Sequence, residues 1–292
     1  MRTRGLGFLI VLLVAVGVPA RPAAAAAPIT VYAHRGGAAY APENTMGAFR
    51  QAQTLWGAQG VWLEMDTQLT ADGELVIMHD DSLDRTTNCS GTVISHSLAS
   101  LSGCDARKVF PTWPTVEPIP TLRQVLTEGR SANWKLAVEI KNIPLEANFD
   151  ALGNKVASKL VALVREVGFP TDRLVIQSFF PTSLDRVKRL GALAGFNMKT
   201  LLLTSSTLPG APQGVGIPSI LNMVFCTLRG YTIAAPDITT KDLNPLVVTL
   251  GHVLGRQVVV WTPDTPTDIA KAIGLGVDGV ISNRPDLVYA AL

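Results

Sequence analysis

The sequence predicts an α/β domain folded as a (β/α)8 TIM barrel, and three observations carry that expectation. Eight apolar, β-branched runs recur from Ile29 to the C-terminus, and stretches of helical period separate most of them. Many of those helical stretches close on glycine, which tolerates the left-handed backbone at a helix C-terminus. The chain is 292 residues long, a length at which barrels of this kind form one domain.

The first 27 residues are read apart from the fold. Arg2 and Arg4 precede an apolar core from Gly7 to Val18, and the alanine run 23–27 offers small residues for cleavage. That is the pattern of a secretory signal peptide. Its apolar run is shorter than the ~20 residues a membrane span needs, so an exported chain without a span is expected, its single domain running over 28–292. Removing Arg2, Arg4 and Arg21 from the 25 basic residues leaves 22 against 23 acidic ones. Such a balance argues against a nucleic-acid or membrane-surface partner. Apolar residues make up 47% of the chain and charged ones 16%, as a well-buried α/β protein requires.

The expected barrel strands are residues 29–34, 60–66, 136–141, 174–179, 199–204, 231–236, 257–262 and 278–283. Helical period marks residues 44–57, 121–129, 149–168, 181–191, 216–230, 243–255 and 267–276. One place breaks the alternation. Only Ala71-Asp72-Gly73 separates LEMDTQLT from ELVIMHD, whereas a parallel crossover needs a dozen residues or more. Residues 75–79 therefore return antiparallel as a β-hairpin, which carries His79 back to the C-terminal mouth of the barrel. Residues 84–120 are rich in Ser, Thr, Gly and Pro and read as an insertion capping that mouth. In an exported chain Cys89 and Cys104, both in this segment, are expected to pair. Cys226 lies in an apolar run and reads as a buried free thiol.

Strand alternation decides which side chains share a face. Trp62, Glu64 and Asp66 point one way, and Leu63 and Met65 the other. On the next barrel strand Ala137, Glu139 and Lys141 face inward, while Val138 and Ile140 face the helices. Tyr32 and His34 share a face on the first strand. Glu64, Asp66, Glu139, Lys141 and His34 thus converge near strand C-termini, where active sites of such barrels lie. Three carboxylates against one lysine leave excess negative charge, which calls for an oxygen-liganded divalent cation, Ca²⁺ or Mg²⁺. The competing reading is an internal ion-pair network of Glu64, Asp66, Arg35 and Lys141. His34 and His79 can serve as acid and base near neutral pH, and Arg35 offers a fork of donors suited to phosphate. Two histidines ringed by cations suit phosphoryl transfer better than glycoside hydrolysis, which uses carboxylates in both roles. His96 and His252 are read as structural.

The run HRGG…PENT…AF, then E-x-D, then an apolar strand ending His-Asp, resembles the glycerophosphodiester phosphodiesterase family. The resemblance continues through VEIK (138–141), QSF (177–179), VVVWT (258–262) and DGVISNRP (278–285). It implies that His34 and His79 are the acid–base pair and that Glu64, Asp66 and Glu139 hold a divalent cation. It places Arg35 and Lys141 on the phosphate, Glu43 beside them, and Trp261 at the pocket wall facing glycerol. Gln177 is carried as a further substrate-side residue. The implied reaction is metal-dependent hydrolysis of a small-molecule glycerophosphodiester to sn-glycerol 3-phosphate and an alcohol such as choline or ethanolamine. Two alternatives stand beside it: a phosphodiesterase acting on lysophospholipid or sphingolipid, and a catalytically inactive binding module. The cysteine-bearing insertion is not a fixed feature of the family, which makes it the expected seat of substrate choice.

Overall fold

In the computed structural model residues 28–205 and 218–292 are described; the expected signal peptide lies outside them. Nine strands form one sheet: β1 (Thr30–Ala33), β2 (Trp62–Leu69), β3 (Leu75–Ile77), β4 (Lys135–Ile140), β5 (Leu174–Ser178), β6 (Lys199–Thr204), β7 (Ile233–Pro236), β8 (Gln257–Trp261) and β9 (Gly279–Ser282). Their order is β1-β9-β8-β7-β6-β5-β4-β2-β3, and β1 also pairs with β2. Eight strands run parallel and close on themselves, which leaves no open edge. The ninth, β3, pairs antiparallel with the end of β2, Thr67 opposite Ile77. The expected hairpin is therefore present, and it needs β2 to run three residues past Asp66.

Helices α1 (Met46–Trp56), α2 (Leu98–Leu101), α3 (Leu122–Ser131), α4 (Lys155–Val167), α5 (Pro181–Leu193), α6 (Ser219–Arg229), α7 (Pro245–Val253), α8 (Pro266–Leu275) and α9 (Pro285–Ala291) complete the described chain. Local signals set their ends. Thr121 and Gln124 form a reciprocal capping box at the start of α3, an arrangement that is worth about 1 kcal/mol per cap. The expected boundary that moves furthest is the start of α4. The helical pattern from 149 does not become helix until Lys155, because Gly153 has φ +61° and a Cβ there would lie 2.5 Å from the Ser183 nitrogen. Asp150 fills the gap by accepting hydrogen bonds from the amides of Asn154 and Lys155.

The alternation of β2 and β4 sorts the apolar residues into two layers. Leu63, Met65, Val138 and Ile140 belong to the outer core between strands and helices. Tyr32, Ala137, Val175, Leu201, Ile233, Val259 and Ile281 fill the barrel interior. That inner plug closes the lower part of the barrel, so polar side chains further up the strands share only the C-terminal mouth.

The insertion after β3 has a small core of its own. Val76, Met78, Leu83, Val93, Leu101, Cys104, Ala106 and Ile119 pack together, and Cys89 and Cys104 form the expected disulfide. Cys226 is buried and free. Hydrogen bonds from Ala71 to His96 and from Leu98 to Asp72 dock the insertion against the hairpin turn. Among the described residues no helix is long and apolar enough to cross a membrane. Replacing both Cys89 and Cys104 with alanine opens a loop of 15 residues and is expected to lower the unfolding free energy by about 3 kcal/mol. An unshifted denaturant midpoint would show that the small core holds the insertion without the bridge.

Candidate active site

The site begins where β1 ends. His34, Arg35 and Gly36 form a single 3-10 turn in which Arg35 has φ +52° and Gly36 φ +84°. Gly36 is needed for space as well as for φ, since a Cβ there would meet the Ala48 Cβ on α1 at 2.8 Å. The left-handed backbone at Arg35 is uncommon for a residue with a side chain. It lets one residue serve two partners: its amide donates to Glu64 Oε2 at 2.8 Å while its Nη1 donates to Glu43 Oε1 at 2.9 Å.

Strand register then aligns the acids. Asp66 sits opposite Glu139, and Glu139 opposite Gln177, across β2, β4 and β5. Glu64 is one inward position below Asp66. Carboxylate oxygens of Glu64, Asp66 and Glu139 lie within 4.8 Å of one another, and none of the three residues is more than 5% exposed. Burial, then the charges of Asp66 and Glu139, drives the Glu64 carboxyl well above the usual range. Glu139 is raised as well, by burial first, although Lys141 opposes the rise. Burial acts on Asp66 in the same sense, but the cationic groups around it, Lys141 and Arg35 among them, outweigh it and hold its carboxyl well below the usual range.

Asn44 steadies Asp66. Its Nδ2 donates to Asp66 Oδ2 at 2.8 Å, and its Oδ1 accepts the Asp66 amide at 3.3 Å. Gln177 Nε2 donates to Glu64 Oε1 at 2.5 Å. Asp66 Oδ1, Gln177 Oε1 and Arg35 Nε remain buried without hydrogen-bond partners. Buried acceptors are rarely left unmet. An all-oxygen set with a free carboxylate oxygen fits a hard divalent cation, and the unmet Arg35 Nε is a donor held in reserve.

The two histidines differ in their backing. His34 Nδ1 pairs with Asn283 Oδ1 at 2.8 Å, and burial, with Arg35 second, pushes its imidazole down to about 4. His34 is therefore neutral at neutral pH, and its 3.9 Å approach to Glu64 is no ion pair. His79 Nδ1 faces the Asp80 carboxylate at 2.6 Å, and its Nε2 faces Lys141 Nζ at 3.2 Å. Lys141 also meets Glu139 at 3.2 Å. Arg85, at the root of the insertion, bonds both Asp80 and Glu43. His79, Asp80, Arg85, Glu43 and Arg35 thus form one continuous chain of polar contacts.

A cavity of about 120 Å³ opens among these groups, lined by His34, Arg35, Glu64, His79, Glu139 and Gln177 on one side. Phe179, Leu203, Trp261, Thr262 and Ile281 form the rest of its wall. Trp261 is fixed by donation from Nε1 to the Ala235 carbonyl and by an edge-on contact with Phe179.

The Glycerophosphoryl diester phosphodiesterase family model matches residues 34–287. The chain belongs to that family. It is accordingly a phosphoric diester hydrolase by descent. A glycerophosphodiester phosphodiesterase of Caldanaerobacter subterraneus subsp. tengcongensis is 32% identical over 88% of this chain and 94% of its own. Glycerophosphodiester phosphodiesterase 1 of Bos taurus is 36% identical over 81% of this chain and 72% of its own. A phosphodiesterase of Oleispira antarctica, solved in complex with the product sn-glycerol-3-phosphate, superposes with a TM-score of 0.74 at 25% identity, covering 90% of this chain and 96% of that one.

Every site residue expected from the sequence except Glu43, Asp66 and Lys141 lines the cavity or, for the cysteines, forms the bridge. Those three contact the lining groups: Glu43 bonds Arg35, Asp66 approaches Arg35, and Lys141 approaches His79. His96 and His252 do have local structural partners, Thr92 and Asp278. The insertion, expected to cap the mouth and to hold substrate choice, contributes none of residues 84–120 to the cavity lining; Arg85 is its link to the site. Asn44, Asp80 and Asn283 fall within the runs PENT, His-Asp and DGVISNRP, yet sequence reasoning gives them no role because each meets the cavity-lining groups through another side chain; Arg85, in the insertion, lies outside every such run. Asn44→Gly removes both bonds to Asp66 while accepting the φ of +61° found there. Its divalent-cation affinity, measured by calorimetry, is expected to fall about 10–100-fold; unchanged affinity would show that Asn44 does not orient a ligand.

Proposed function

We propose that this protein hydrolyses glycerophosphodiesters, releasing sn-glycerol 3-phosphate and an alcohol such as choline or ethanolamine. The observation that carries the reading is one small cavity bordered by two histidines, a phosphate-suited arginine and buried carboxylates. The product complex of the Oleispira antarctica relative supports glycerol phosphate as the retained half. The cavity volume suits that half better than an acyl chain, and the apolar run 109–116 of the insertion adds nothing to its lining.

Glu64, Asp66 and Glu139 would hold the cation, Ca²⁺ or Mg²⁺, which neutralises charge on the phosphate as it builds in the transition state. Arg35, through its unmet Nε, and Lys141 bind the phosphate oxygens. Their positions are fixed beforehand by Glu43 and Glu139, so little reorganisation is needed when charge develops. His34 is neutral, buried and backed by an uncharged amide, which suits it to accept a proton from the nucleophile. The nucleophile is water or the substrate's own glycerol hydroxyl, the second route passing through a cyclic phosphate. His79, paired at Nδ1 with the Asp80 carboxylate, delivers a proton to the departing alcohol as the phosphorus–oxygen bond breaks. The two histidines differ in what backs them, an uncharged amide for His34 and a carboxylate for His79, and that difference in partners separates base from acid.

The pattern of residues 1–27 supports export, and outside the cytoplasm polymers of glycerol phosphate become further candidate diesters. Trp261 and Phe179 form an apolar wall suited to the glycerol carbons.

His34→Ala and His79→Ala are each expected to lower kcat by at least 10²-fold while leaving the thermal unfolding midpoint in place. Release of glycerol 3-phosphate at the unmodified rate by either variant would refute the pair. In a panel of glycerophosphocholine, glycerophosphoethanolamine and a lysophospholipid, chelator should abolish turnover and Ca²⁺ or Mg²⁺ restore it for the first two. Full activity after exhaustive chelation would remove the cation from the reading, and preference for the lysophospholipid would replace the substrate.

A further inference from the structure

The contact behind His34 does more than hold a ring in place. His34 Nδ1 lies 2.8 Å from Asn283 Oδ1. A carboxamide can present either a donor or an acceptor end, so this pair alone does not say which imidazole nitrogen carries hydrogen. Asp264 decides it. Asp264 Oδ1 accepts from the Asn283 amide at 2.8 Å and from Ser282 Oγ at 2.9 Å. Its other oxygen, Oδ2, meets Asn283 Nδ2 at 2.6 Å. A carboxylate has nothing to donate, so the end of Asn283 that faces it must be the NH₂. The carbonyl end must then face His34, and a carbonyl has only lone pairs, so Nδ1 must bear the hydrogen. In a neutral ring that leaves the lone pair on Nε2, the nitrogen nearest Glu64.

We propose that Asp264, acting through Asn283, sets the tautomer of His34 and so keeps Nε2 free to accept a proton in the reaction. Both are positioning residues, since neither lines the cavity. The inference rests on the reading of His34 as the base. The relay spans three neighbouring strand ends, with Asp264 after β8, Asn283 after β9 and His34 after β1. Each link converts the polarity of the one before: carboxylate, then amide, then imidazole. The interposed amide also matters. It passes on the direction of the hydrogen bond without placing a full negative charge against the ring, as Asp80 does for His79.

Asp264→Asn is an isosteric test with a signed outcome. The new carboxamide must keep its oxygen toward the Asn283 amide, because a backbone N–H can only donate. Its NH₂ then opposes the NH₂ of Asn283, donor against donor. Turning the Asn283 amide over relieves the clash and presents its NH₂ to His34 Nδ1, which must become the acceptor; the hydrogen moves to Nε2. With histidine ¹⁵N-labelled protein and Mg²⁺ present, long-range ¹H–¹⁵N spectra should show Nδ1–H at His34 in the unmodified chain and Nε2–H in D264N. The kcat should fall about 10²-fold or more, with KM within about threefold because no cavity-lining group has changed.

Retention of the Nδ1–H form in D264N overturns the relay whatever the rate does. Inversion of the tautomer with an unchanged kcat overturns the positioning role. Full turnover by His34→Ala would instead remove the base assignment on which the role depends. If D264N does not fold, Asn283→Ala keeps the test open: it removes the acceptor and should give a mixture of both tautomers with reduced kcat, and a pure Nδ1–H spectrum would again overturn the relay.

Discussion

Glu64, Asp66 and Glu139 repel one another inside the upper layer of the barrel, and most of the surrounding polar structure is arranged to contain that repulsion. Their oxygens fall within 4.8 Å of one another, in a place where water cannot screen them. The register of β2 against β4 imposes this proximity, since Asp66 and Glu139 are direct neighbours across the pair. Lys141 reaches back to Glu139, Arg35 lies 3.6 Å from Asp66, and the amides of Asn44 and Gln177 donate to Asp66 and Glu64. These contacts are incomplete as a closed network, because Asp66 Oδ1 has no hydrogen-bond partner and Arg35 Nε, 3.6 Å from Asp66 Oδ2, makes no hydrogen bond. An ion-pair cluster built only for stability would have satisfied both atoms, so the competing reading of a purely structural network is the weaker one.

The insertion gains its place through the same electrostatics. Arg85 leaves its root with a guanidinium divided between Asp80 and Glu43. Asp80 backs His79 and Glu43 backs Arg35. One exposed arginine therefore ties the histidine returned by the hairpin to the arginine that follows the first strand. The disulfide four residues further on restrains the segment from which that arginine projects.

Much of this was legible in the sequence because it follows from period two. Once eight strands are placed, alternation decides that Glu64, Asp66, Glu139 and Lys141 face inward, and the short Asp-Gly connection decides that His79 returns to the mouth. What escaped the sequence depends on distance in three dimensions. Asn44 looks like part of a helix entry, yet its φ of +61° turns it onto Asp66. Arg85 and Asp264 carry charge in loops, where a lone residue has no periodicity to betray its partner. Helix α9 has seven residues, too few to show a helical period, and the start of α4 was displaced by a contact between Gly153 and α5 that no local pattern contains.

The two halves of the chain bring unlike materials to the cavity. All of its charged and titratable lining comes from residues 34–139, whereas residues 179–281 supply Phe179, Leu203, Trp261, Thr262 and Ile281. From beyond them Asn283 reaches His34 with a neutral amide, its charged partner Asp264 kept one step back. That division matches a ligand with an anionic centre and a short polar-apolar backbone, cationic groups standing on one side of the cavity and an apolar wall on the other. The same division keeps negative charge off the back of His34 while allowing it behind His79. Two chemically identical side chains are therefore held by unlike partners within one cavity, a neutral amide behind one and a carboxylate behind the other.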